Sequence, residues 1–240
     1  MSSTEALNIK TFVFNPYREN CYVAWNGDGD GVIVDPGCYD SAESERLRSY
    51  ILAEKIEVKA IWLTHGHFDH VYGVAEALKT WPVPVYMNAE DKVVVEVGAE
   101  LASRSGLKAP EIGFDTVDVR DGDVLSFGKT SFKAITTPGH SPGGVCYSDE
   151  THGLIFTGDT LFAGAIGRSD LPGGDYDKLI VSVMDKVMGL PGETDVLPGH
   201  GPKSTIADER THNPFLQPWG NPEDEGIDWD DDALEINGID

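Results

Sequence analysis

The chain has 240 residues, 40% of them hydrophobic, and a formal net charge of -23. That length buries the core of one large α/β domain or two small ones. The acidity argues against a protein that tracks nucleic-acid phosphates, which needs clustered Lys and Arg, and no apolar run approaches the ~18 residues of a membrane helix.

The amino terminus, Met1-Ser2-Ser3-Thr4-Glu5, lacks the basic segment and apolar core of an export signal, so a cytoplasmic protein is expected, with no nucleic-acid or membrane partner. Strands are predicted over residues 9–14, 21–25 and 31–34, separated by Asn-Pro, Gly-Asp-Gly and Asp-Pro-Gly turn signals. A helix follows over 41–53, with acidic residues in its first turn. Residues 58–63 read as a buried strand and 70–78 as a helix, which leaves the segment between them as a strand-to-helix loop. Active sites of open α/β sheets commonly lie at such a loop. A helix is predicted over 89–103, strands over 124–125, 131–136, 144–148 and 154–156, a helix over 175–188 and a short strand over 194–197. The order suggests two similar halves packed as one domain over 1–220, although no internal repeat is visible. Residues 222–240 hold nine Asp or Glu and no Lys or Arg, so 221–240 is expected to be a solvated acidic tail.

Cys21, Cys38 and Cys146 are odd in number and widely spaced, which fits reduced thiols better than a disulfide framework. Cys146 lies near His140 and His152 in sequence and is a candidate nucleophile, though a buried structural thiol is the commoner outcome.

The loop after residue 63 reads Thr64-His65-Gly66-His67-Phe68-Asp69-His70. Three imidazoles and a carboxylate at alternate spacing form a metal-ligand pattern, since neutral imidazole suits zinc and iron and a carboxylate can ligate or accept a proton. Three later segments repeat the strand-end design: Thr136-Thr137-Pro138-Gly139-His140-Ser141-Pro142-Gly143-Gly144, Phe156-Thr157-Gly158-Asp159-Thr160, and Val196-Leu197-Pro198-Gly199-His200-Gly201. Each offers a His or Asp among glycines, which permit the close backbone approach a crowded site needs. Taken together they supply six or seven donors on loops that leave strands.

In this order, from about residue 8 to 216, the chain resembles the metallo-β-lactamase superfamily and, within it, the glyoxalase II-like (hydroxyacylglutathione hydrolase-like) enzymes. The resemblance implies an α/β fold, a four-layer αββα sandwich with the metal site where the two sheets meet. It implies two divalent metal ions, zinc first, with iron or manganese as options. His65, His67 and His140 would bind one, Asp69, His70 and His200 the other, and Asp159 would bridge them. Asp69 and Asp159 are then the catalytic carboxylates of a thioesterase that attacks a small thioester or related acyl substrate with hydroxide. Asp35, in the turn Asp35-Pro36-Gly37, is either an ordinary turn residue or the orienter of a histidine ligand.

Arg168, in Gly167-Arg168-Ser169-Asp170, matches a basic position that contacts substrate carboxylate in glyoxalase II enzymes, whereas Asp170 stands where an aromatic is expected. Glu209 to Leu216 resembles the family's Asn-Pro-Phe stretch, but 40 residues follow His200, too few for the family's helical substrate domain with its basic glutathione contacts. The alternative within the superfamily is a persulfide dioxygenase with a single iron at the positions of His65, His140 and Asp159. A third reading is a metal-binding partner protein without turnover. The oligomeric state is not legible.

Overall fold

The computed structural model describes residues 6–217, so the expected acidic tail over 221–240 lies outside the described residues. β1 (Leu7–Phe14), β2 (Glu19–Asn26) and β3 (Asp30–Val34) form an antiparallel meander. Helix α1 (Ser41–Ala53) then carries the chain over to β4 (Glu57–Trp62), which pairs with β3 in parallel. The α1 N-cap is Asp40, whose Oδ1 accepts from the backbone N–H of Ala42 and Glu43 at 2.9 Å. After α2 (Phe68–Val71) and α3 (Val74–Thr80), β5 (Val85–Met87) continues the parallel edge, and after α4 (Lys92–Arg104), β6 (Val117–Asp118) completes it. The first sheet therefore runs β1-β2-β3-β4-β5-β6.

The second half builds β7 (Val124–Phe127), β8 (Thr130–Thr136), β9 (Val145–Asp149) and β10 (Leu154–Gly158), all antiparallel. A small hairpin, β11 (Leu161–Phe162) and β12 (Ala165–Ile166), precedes α5 (Tyr176–Val181), which continues as a wider π-type turn over Ser182–Val187. β13 (Asp195–Pro198) returns parallel to β10, and β14 (Ser204–Thr205) leads into α6 (Ile206–His212). This sheet runs β14-β13-β10-β9-β8-β7.

Period-two alternation on strands buried on both faces dictates the layering. Cys21, Val23 and Ile33 point outward to a core with Leu47 and Ile51 of α1 and Val74 of α3. Tyr22, Ala24, Val32 and Val34 point inward to Phe132, Ala134, Tyr147 and Phe156 of the second sheet. On that sheet's far side Cys146, Ile155 and Val196 meet Leu179, Val183 and Ile206. Three apolar interfaces separate four layers, an αββα sandwich as expected. Trp62 anchors the central interface, with its ring 5.2–5.8 Å from those of Phe127, Phe132 and Tyr147; such pairs add about 0.5–1.5 kcal/mol each beyond area burial.

Two local departures from simple periodicity have physical causes. A bulge between Gly31 and Val32 in the β3–β4 register offsets the pairing, so Val58 and Ile61 share the outer core although their spacing is odd. The helix expected over 70–78 breaks at Gly73, whose N–H donates to Pro36 O at 2.7 Å and where a Cβ would meet that oxygen at 2.7 Å. All three cysteines are buried free thiols, and burial pushes Cys146 up to about 11, which leaves it a poor nucleophile. Among the described residues no helix is long and apolar enough to cross a membrane.

Candidate metal centre

Five loops leave the carboxyl ends of β3, β4, β8, β10 and β13 on one edge of the sandwich, where the two sheets are tied together. Val145 N donates to Thr64 O at 2.8 Å, and the Tyr147 hydroxyl donates to Leu63 O at 2.8 Å. From the other direction, the Tyr22 hydroxyl and Asn20 Nδ2 donate to Pro198 O at 2.7 and 2.9 Å. Glycine makes the crowding possible. Gly158 has φ +49°, and a Cβ there would lie 2.3 Å from Thr64 Oγ1; a Cβ on Gly199 would lie 2.2 Å from Asp159 Oδ1.

Every residue named from the histidine pattern arrives at this edge. His67 Nδ1 lies 2.8 Å from His140 Nε2, which lies 3.3 Å from His65 Nε2. In the second group His200 Nε2 is 3.2 Å from Asp69 Oδ2 and 3.4 Å from His70 Nε2. Within each of these triads the donor atoms lie within 4.8 Å of one another. Asp159 stands between them: Oδ1 is 3.4 Å from His70 Nε2, while Oδ2 is 3.5 Å from His140 Nε2 and 3.6 Å from His200 Nε2.

The opposite nitrogens of the rings are held by the protein. Asp35, buried with φ +48°, accepts from Thr64 N at 2.7 Å and Thr64 Oγ1 at 2.6 Å, and its Oδ2 lies 3.0 Å from His70 Nδ1. Its turn thus orients a histidine and is more than a chain reversal. His140 Nδ1 is 2.7 Å from Arg168 O, and His200 Nδ1 is 3.1 Å from Tyr17 O. With these nitrogens engaged, Nε2 of His70, His140 and His200 faces the centre.

The donor chemistry fits divalent cations. Burial holds His65 well below the ordinary imidazole range, and burial with His140 nearby pushes His67 down to about 4, so both rings are neutral and carry lone pairs at pH 7. Burial opposes ionisation of Asp159, but His70 and His140 outweigh it and hold the carboxyl well below its usual range. Asp69 is lowered in the same way, burial being overcome by His70 and His200. The lone pairs of His65 and His67, two carboxylates and a buried Asp159 Oδ1 with no hydrogen-bond partner among the described residues describe a cation cradle, not a self-satisfied polar core.

The centre opens into a cavity of about 570 Å³ whose floor includes His67, Asp69, His140, Asp159 and His200. Arg168 lies on its rim, with Nε and Nη2 bonded to the two oxygens of Asp170 at 2.7 and 2.9 Å. Asn213 of the Asn-Pro-Phe stretch is fully buried; its Nδ2 donates to Glu209 Oε2 at 2.8 Å and Ala165 O at 3.1 Å, tying α6 to the β11–β12 hairpin.

Two buried carboxylates beside the centre escaped sequence reasoning. Asp91 accepts from Gly66 N at 2.7 Å, Ser141 Oγ at 2.8 Å and Gly143 N at 2.5 Å, and so joins the His65–His67 loop to the His140 loop. Its position before an apolar helix reads as an ordinary first-turn acid, and that masked it. Glu19 begins β2, is fully buried, and neither carboxyl oxygen has a hydrogen-bond partner among the described residues. Gly37 leaves it room, since a Cβ there would lie 2.2 Å from Glu19 Oε2. An acid two residues before the apolar run Cys21 to Trp25 was the available signal.

Burial raises the Glu19 carboxyl well above 4.5; His70 opposes this, and Asp35, Asp69 and Asp159 add to it. The folded, metal-free chain therefore keeps a proton that the unfolded chain releases above pH ~4.5, and its stability falls as pH rises from there towards the folded-state value. In chelator-treated protein, Glu19→Gln is expected to gain stability over the parent by about 1.4 kcal/mol per pH unit in that window. Urea midpoints at pH 5 and pH 7 measure it, and an equal difference at both pH values would refute a neutral Glu19.

The family model described as the metallo-beta-lactamase superfamily matches residues 15–200. The hydroxyacylglutathione hydrolase GloC of Haemophilus influenzae is 34% identical over 216 residues, which cover 88% of this chain and 98% of that protein. Two solved structures are similarly close. TTHA1623 in a di-iron-bound form is 37% identical, with a TM-score of 0.78 over 86% of this chain and all of its own. The BLEG-1 B3 metallo-β-lactamase is 35% identical, with a TM-score of 0.79 over 88% of this chain and all of its own. Sequence, fold and donor geometry agree, and the chain belongs to the metallo-β-lactamase superfamily.

Proposed function

We propose that this protein is a dinuclear metallo-hydrolase that cleaves a small-molecule thioester or a related acyl bond. The observation that carries this reading is Asp159, whose carboxylate lies between the donor triads, 3.5 Å from His140 of the first and 3.4 and 3.6 Å from His70 and His200 of the second. When bound, a pair of divalent cations supplies a water that ionises near neutral pH and an electrophile for the carbonyl oxygen. His65, His67 and His140 would hold one cation and Asp69, His70 and His200 the other, with Asp159 shared. Zinc suits this imidazole and carboxylate set, and iron or manganese remain compatible with it. Asp35 keeps the His70 ring fixed, and Asp69, held as a carboxylate on the cavity floor, is the group we assign to accept the water proton.

The name of the GloC relative supports a thioester substrate, and the di-iron form of TTHA1623 supports a two-metal site. The test joins metal analysis of the purified chain with a panel of thioesters, a lactone and a β-lactam. Two equivalents of metal with thioester cleavage are expected. One equivalent of iron with oxygen uptake on glutathione persulfide would replace the reading with a dioxygenase, and two equivalents with no turnover on any acyl compound would leave a metal-binding partner protein.

A further inference from the structure

We infer that the substrate carries an uncharged apolar acyl chain that lies along α4, and that the carboxylates of a thiol carrier contribute little to its recognition. The inference rests on the hydrolase reading and names its substrate class.

Helix α4 is apolar on two faces. Val95 and Ala102 point into the protein and are buried. Val93, Val97 and Leu101, four residues apart and so in line along the helix, border the cavity that ends on the metal ligands. Val93 is 54% exposed and Leu101 36% exposed, so this stripe meets water next to the reaction centre. Phe68 and Leu171 also line the cavity. A cavity of about 570 Å³ has the size of a small-ligand pocket, and an apolar stripe inside one is there to be covered by ligand.

Charge points the same way. Among the described residues lining the cavity Arg168 is the sole Lys or Arg, and both of its bonded nitrogens face Asp170. A carboxylate approaching Arg168 meets the like charge of Asp170 at the same place. Glutathione brings two carboxylates and finds no free cation on this rim, whereas an alkyl or aryl acyl group finds a hydrocarbon wall that begins at the reacting carbonyl.

The metal-loaded full chain is assayed with S-acyl N-acetylcysteamine thioesters of two to ten acyl carbons, and with glutathione thioesters of the same acids. kcat/KM is expected to rise about threefold to fourfold per methylene until the stripe is covered, with the two carriers within about threefold of each other. Val97→Asp should cut the octanoyl-to-acetyl ratio at least about tenfold. Val93→Asp, at a more exposed position, should act in the same direction and serves if Val97→Asp does not fold. The octyl and ethyl thioethers of N-acetylcysteamine, which cannot be hydrolysed, are titrated calorimetrically into chelator-treated protein, where the octyl compound should bind more tightly. Thioester turnover that is flat with chain length, or a preference of more than about tenfold for the glutathione carrier, would overturn the inference and leave the hydrolase standing. Absence of turnover on these thioesters and on the lactone and β-lactam, together with chain-length-dependent thioether binding, would overturn the hydrolase reading and support the apolar subsite.

Discussion

Asp159→Asn is expected to lower turnover about a hundredfold to a thousandfold, the range lost when one preorganised charge-stabilising group is removed from an active site, and to weaken both metal sites at once. The reason is geometric. One oxygen faces His70 of the second triad and the other lies between His140 of the first and His200 of the second, so a change at this residue reaches both donor groups. Asparagine keeps the volume but is neutral and turns one acceptor into a donor, which places N–H groups against a cation site. Asp69→Ala makes the informative contrast. Its carboxylate lies 3.2 and 3.9 Å from His200 and His70, both of the second triad, so its loss should release one equivalent and spare the other. Metal titration of the two variants beside the parent separates these outcomes. If Asp159→Asn retained two tight equivalents, or if Asp69→Ala kept full activity, the shared-carboxylate arrangement would be wrong.

What the sequence revealed of this site follows from chain distance. His65, His67, Asp69 and His70 lie in one loop, and the donors that join them from afar, His140, Asp159 and His200, each sit in a glycine-flanked strand end that repeats the same local form. Local form is visible in a sequence, so the edge of the sandwich and its donors were legible. Asp35 was legible as a turn, but its bond to His70 across 35 residues was one of two equal readings until the fold brought the two together. Glu19 and Asp91 carry no such local form, because what they touch is far along the chain. The four layers follow from the family resemblance and the longer strands from their apolar runs, whereas the two-residue and three-residue strands β5, β6 and β14 are too short to show a period. Arg168 is legible in the sequence as a basic residue at a carboxylate-contact position, but residue type says nothing of a neighbour's rotamer, and its pairing with Asp170 is what turns attention from carboxylate to hydrocarbon recognition.

Asp91→Ala is expected to destabilise the fold by about 3 kcal/mol or more, the summed cost of leaving three buried donors unpaired, and to weaken one metal site about tenfold to a hundredfold. Burial raises the Asp91 carboxyl, while Ser141, Gly143 and Gly66 donate to it and pull the other way; the side chain is wholly inside the protein with three hydrogen bonds to carry. Its removal strands the N–H groups of Gly66 and Gly143 and the Ser141 hydroxyl, each a buried donor that costs about 1–3 kcal/mol unpaired. Gly66 separates His65 from His67, and Ser141 follows His140, so all three donors of the first triad lose their common tie. The second triad is held from elsewhere, by Asp35 at His70 and Tyr17 O at His200, and should keep its affinity. Thermal unfolding in chelator measures the first effect, and zinc titration with a competing chromophoric chelator measures the second. Equal weakening of both sites would show that Asp91 supports the fold in general and has no particular hold on the first triad.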